Sequence, residues 1–251
     1  MPAYIASDAI WTPSAGDKDT MVRVISWAMD GYRLIPSRFP PVSVYEGLVA
    51  NDRLEALTNV EALTNPRLRS EARLAANTDP ASTHRIQNWN LAPFAYGNPE
   101  GSTFFGEERP CLELAADPQT ALAIAVARRE RFLGRTDEAP TGLDMRMLKT
   151  PIEGRFWDLR SLAVDLDRDA RLEVGTRLPD DADGILFHPP ERPYGTCAVV
   201  LNGDRLGRTL QTTHYRFVWN GQRIALLYAF DDIGREIEPE MLAGERDVLA
   251  A

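Results

Sequence analysis

Apolar positions along the chain fall into helix-like spacing early and strand-like runs late. From residue 32, YRLIPSRFPPVSVYEGL predicts a short strand stopped by Pro40 and Pro41, after which a helix begins near Ser43. Leu54, Leu57, Val60 and Leu63 recur every third residue in NDRLEALTNVEALTNP, which predicts an amphipathic helix ended near Asn65 by Pro66. Residues 76 to 110 are rich in Asn, Pro, Gly and Ser and read as loop with short strands. ADPQTALAIAVARRERFLG carries the clearest helix signal, with Asp117 as N-cap, Pro118 at the first helical position and Gly134 just past the end. Its buried stripe is expected at Ala121, Leu122, Ala125 and Phe132. Arg128, Arg129 and Arg131 lie toward its C-terminal end, where the helix dipole favours cations.

The second half alternates strand-like runs with loops: DMRMLK, GRFWDLR, GILF and TCAVVL. In HYRFVWNGQRIALLYAF, Asn220-Gly221 separates two such runs and predicts a hairpin. Helices early and strands late give an α+β fold class, and no internal repeat is visible.

Composition narrows the function classes. The chain has 251 residues, enough to bury a full core, with 28 Lys and Arg against 37 Asp and Glu for a net charge of −9. An acidic surface disfavours nucleic acid as partner, although a local arginine cluster can still hold a nucleotide. The longest apolar runs, such as IALLYAF, are too short to span a bilayer, so no membrane partner is expected. Two cysteines, Cys111 and Cys197, make no disulfide framework; with no export signal they read as reduced thiols of a cytoplasmic protein. His84, His188 and His214 are scattered, without metal-ligand spacing, and no metal is expected.

Generic catalytic motifs are absent. SAGDKD lacks the glycine spacing and the Lys-Ser/Thr pair of a phosphate loop, and GDRLG lacks the third glycine of a dinucleotide fingerprint. There is no G-x-S-x-G elbow. DGILFHPPERPYGTC, Asp183 to Cys197, poses the sharper question, because a short apolar strand runs there into a stiff loop holding His188, Glu191 and Arg192.

Three segments together resemble the RES-domain family. They are YRLIPSRFPPVSVYEGL with EALTNPRLR; LAPFAYGNPEGSTFFGEERPCLELAADPQTALAIAVARRERFL with LDMRML; and DGILFHPPERPYGTCAVVL with YRFVWNGQRI. The resemblance implies a compact single domain over residues 31 to 240 behind an N-terminal extension of residues 1 to 30. It further implies an ADP-ribosyltransferase-like fold whose cleft between mixed sheets, flanked by helices, accepts NAD+. The family is best known for toxins of toxin–antitoxin pairs that destroy NAD+, so an antitoxin-like protein or a homologous subunit is the partner it implies. Cleavage of the nicotinamide bond passes through an oxocarbenium-like state, for which a carboxylate is the expected stabiliser and arginines the expected pyrophosphate ligands.

Transferred residue by residue, the resemblance keeps the framework and loses the chemistry. Arg33 and Arg38 are retained, but Thr103 stands where the family has the arginine of G-S-R-F, and Glu113 where it has a tyrosine. Ile124 replaces the family's glutamate, Pro189 its serine, and Glu191 the second arginine. Arg33, Thr103, Ile124 and Pro189 thus mark the positions of the expected cleft. An aliphatic Ile124 cannot stabilise a developing cation, so the leading expectation is a catalytically degenerate relative that keeps the fold for binding a nucleotide or partner. It needs no cofactor, and NAD+ enters as ligand or substrate. The alternative is an active NAD+ glycohydrolase or phosphorylase, or an ADP-ribosyltransferase-type toxin. Its relocated site would use the Glu113 carboxylate, Arg33 on phosphate, and His188 or Glu191 as base.

Overall fold

DMRMLK and GRFWDLR, expected as separate strands, form a single 18-residue strand, β3 (Thr141–Asp158). The computed structural model describes residues 23–37, 92–94, 98, 100–162, 164–230 and 234–249. Pro151 does not interrupt β3. Its carbonyl accepts from the Gly207 amide at 2.7 Å, so the missing N–H lies on the edge turned away from the neighbouring strand and breaks no ladder bond.

That neighbour is β1 (Val24–Pro36), antiparallel to β3 from Val24 opposite Trp157 to Pro36 opposite Met145. The expected boundary between residues 30 and 31 falls inside this strand. β2 (Leu112–Ala115) meets β1 at Tyr32 and Ala115, then pairs with β5 (Cys197–Val200), which pairs with β4 (Gly184–Phe187). β4 runs parallel to the end of β3, so five strands close on themselves. β6 (Leu210–Trp219), β7 (Ile224–Phe230) and β8 (Arg235–Ile237) continue the sheet from the other half of β3, completing a mixed eight-stranded sheet.

Strand alternation divides the core in two. Leu114, Ile152, Phe156, Leu186 and Val200, with Trp27 beside them, fill one face of the closed strands. Gly31 lets β1 approach there, since a Cβ at this position would lie 2.8 Å from the Ile152 side chain and 2.9 Å from that of Leu114. On the opposite face, helix α1 (Pro118–Leu133) packs through Leu122, Val126 and Leu133 into a cluster that includes Phe187, Val199 and Phe217.

The caps of α1 are those expected: Asp117 accepts from the Thr120 amide at 2.8 Å, Pro118 opens the helix and Gly134 caps it. The stripe is rotated from its expected place. Ala121 and Leu122 are buried and Ala125 packs against the core, but Phe132 is 57% exposed. Its neighbour Leu133, one residue and 100° further round, takes the buried position.

The hairpin forms as predicted. Asn220 Oδ1 accepts from the amides of Gln222 and Arg223, each at 2.9 Å, and Gly221 adopts φ +95°. A second helix, α2 (Arg168–Thr176), is capped by Asp167. Helices and a mixed sheet in one body make the fold α+β. The expected stop at Pro40 and Pro41 and the helices expected from Ser43 and around Leu54–Leu63 lie outside the described residues, as do Arg38 and His84.

Candidate functional site

The turn before β2 is built by Asn98, whose side-chain carbonyl accepts from the Glu100 amide at 3.1 Å, and by Gly101 at φ +68°. This turn delivers Thr103 to Glu113. The Thr103 amide donates to Glu113 Oε1 at 2.6 Å, while Arg128 Nη2 donates to and pairs with Oε2. Glu113 projects from the middle of β2 toward α1, and Arg128 lies one helical turn beyond Ile124 on the same helix face. Ile124 itself packs against the core. Thr103, Glu113 and Ile124 are therefore brought together around Arg128, whose place near the C-terminal end of α1 suits the helix dipole but does not by itself predict this partner.

The electrostatics of this group are self-contained. Burial alone would raise the Glu113 carboxyl, whose side chain is 12% exposed. The Arg128 guanidinium and the Thr103 amide outweigh it and hold the carboxyl below its ordinary range. Arg128 is raised in turn by Glu113, with Glu191 contributing from the Pro-rich loop. Nearby Cys111 has its thiol pushed up to about 11, chiefly by burial, and buried Cys197 is pushed well above its usual value by the same cause. Both cysteines are free.

Arg33 does not join the group. By alternation it shares the β1 face of Gly31, which looks toward Leu114 and Ile152, whereas Glu113 leaves β2 from the other face. Burial lowers the Arg33 guanidinium to about 10.

The Pro-rich loop is latched to α1. Pro189 is buried, and Arg192, 7% exposed, donates through Nη1 to Thr120 Oγ1 at 2.9 Å and to the Asp117 carboxylate at 3.3 Å. Its Nε reaches the Gly244 carbonyl at 3.1 Å and Nη2 the Glu245 carbonyl at 3.3 Å. Buried Gln119 holds the same C-terminal segment through the Leu242 and Arg246 carbonyls and the Val248 amide. No spacing in the sequence flagged Arg192 or Gln119 for this role, because their partners lie 50 to 130 residues away.

Among the described residues no three His, Cys, Asp or Glu side chains are grouped to hold a metal, and no helix is long and apolar enough to cross a membrane.

The RES domain family model matches residues 81–220. The chain belongs to the RES domain family. It is also 62% identical over 220 residues to the uncharacterized protein y4oC of Sinorhizobium fredii (strain NBRC 101917 / NGR234), an alignment covering 87% of this chain and 95% of that protein. The matched span contains β2 through β6, and all of β1, β7 and β8 lie outside it.

Proposed function

We propose that this RES-domain protein is catalytically degenerate and keeps the fold for binding a nucleotide or a protein partner. The observation that carries the reading is the Glu113–Arg128 pair. A carboxylate stabilises an oxocarbenium-like transition state through its negative charge, which an ion pair with a guanidinium largely offsets. Here Arg128 occupies one oxygen and the Thr103 amide the other. Ile124 supplies no charge, and loss of one preorganised electrostatic group commonly costs about 10²–10³ in rate. Latching of the loop by Arg192 supports the same reading, since that segment is built as a structural corner. NAD+ is then at most a ligand, and the reading requires no cofactor.

The test is nicotinamide release from NAD+ at high protein concentration, with and without phosphate, followed by chromatography. The expected outcome is no release beyond the buffer control over many hours. Release that follows the folded protein and disappears in Glu113→Gln would overturn the reading and favour a relocated catalytic site.

A further inference from the structure

A second polar site lies at the open ends of β3 and β4. Arg23, Asp158, Arg160, Ser161 and His188 line a concavity of about 360 Å³, at the lower end of the size range of small-molecule sites. None of these residues belongs to the Glu113–Arg128 group.

The side chains of Asp158, Arg160 and His188 are held by their surroundings. Asp158 takes Arg160 in a two-point pair, Nε to Oδ1 at 2.8 Å and Nη2 to Oδ2 at 2.7 Å, and its amide donates to the Arg23 carbonyl at 2.9 Å. The Arg160 guanidinium lies over the Trp27 ring, 4.5 Å from its centroid, which fixes the plane of the fork. Neither of these contacts uses Nη1. His188 Nδ1 is 2.5 Å from the Gly195 carbonyl. A carbonyl can only accept, so Nδ1 carries a proton, and in the neutral tautomer this selects, the lone pair lies on Nε2.

Charge and hydrogen-bonding capacity together select the ligand. Two guanidiniums against one carboxylate leave a local excess of positive charge on a chain of net −9. Arginine forks match phosphoryl oxygens. An imidazole lone pair and the remaining carboxylate lone pairs instead call for hydroxyl donors set apart from the phosphoryl group, whereas inorganic phosphate has only the P–OH of the phosphoryl group itself. Ser161 can serve either group. We infer that the Arg23–Arg160–Ser161–His188 concavity binds a small phosphate ester bearing hydroxyl groups, the arginines on its phosphoryl group and His188 with Asp158 on its hydroxyls.

The site stands apart from the reading of Glu113 and does not rest on it. Nicotinamide release by the protein would leave the proposal standing, and failure of binding here would leave the degeneracy reading standing. The experiment is calorimetric titration of the full chain at low ionic strength with glucose 6-phosphate, inorganic phosphate and glucose. Saturable binding is expected for glucose 6-phosphate, weaker binding for inorganic phosphate and none for glucose. Arg23→Gln, whose side chain lies at the site's edge, weakens glucose 6-phosphate binding by about tenfold or more, the consequence of losing a charge-assisted hydrogen bond. Glu113→Gln leaves it unchanged. The proposal is overturned if the native chain shows no saturable binding, if inorganic phosphate binds as well as the ester, or if Arg23→Gln binds like the native chain. Equal losses in Arg23→Gln and Glu113→Gln would also overturn it, because they would move the ligand to the other site.

Discussion

Glu113 keeps its charge in a nearly closed site because Arg128, itself about half exposed, reaches in from α1. That choice has a pH signature. Folding lowers the Glu113 pKa from its ordinary 4.5, so the unfolded chain holds this proton more readily than the folded one. The pair's contribution to stability is complete above pH 4.5 and is lost as pH falls through the lower folded value. Glu113→Gln should therefore cost about 1–2 kcal/mol at neutral pH, limited by the solvent around Arg128. Urea unfolding at pH 7 and pH 3 checks this: the gap between native and variant should shrink at the lower pH, and a constant gap would mean that packing, not charge, holds Glu113. At the same scale, Ile124, four residues before Arg128 on α1, packs its β-branched aliphatic side chain against the core and brings no charge to Glu113.

Between elements, the loop after β4 is coupled to both the start of α1 and the C-terminal segment. Gly195 lets the loop approach α1 closely, since a Cβ there would lie 2.1 Å from Thr120 Oγ1. That hydroxyl is fixed between the Asp117 carboxylate, at 2.7 Å, and Arg192, so it has little room to yield. Gly195→Ala is expected to destabilise the fold by about 1–3 kcal/mol, the usual range for overpacking, as measured by thermal or urea unfolding. Arg192→Ala removes the loop's link to the Gly244 and Glu245 carbonyls, and limited proteolysis should then cut between residues 242 and 249 faster than in the native chain. Unchanged cleavage would show that Gln119, Arg235 and the packing of Leu242 secure this segment without Arg192.

At the scale of the whole molecule, β3 is the strand on which everything else is hung. It pairs with β1 on one side and with β6 and then β4 on the other, so it belongs both to the closed strands and to the sheet extension. Its amides should exchange with solvent most slowly, and those of β8, a three-residue edge strand, most rapidly among the strands. Hydrogen exchange followed by mass spectrometry reads this order directly. Fast exchange in β3 between residues 145 and 157 would mean that the closed strands open independently of the rest.

The sequence by itself determined what depends on neighbours a few residues apart. The cap and start of α1 at Asp117 and Pro118, its end at Gly134 and the Asn220-Gly221 hairpin are set by local hydrogen bonds and backbone preferences that a short window contains. The aligned motifs likewise identified the family. Only the tertiary structure decided the rest. DMRMLK and GRFWDLR join into one strand across Pro151 because of the edge Pro151 turns to its partners, which is a matter of long-range pairing. Phe132 and Leu133 differ by one helical position, and the sheet beneath α1 chooses between them. Arg128 became the partner of Glu113, and Arg192 the clasp of the loop, because the fold places charges distant in sequence within hydrogen-bond reach. Local sequence fixes where elements begin and end; which charges neutralise one another depends on distances that exist only after the chain has closed.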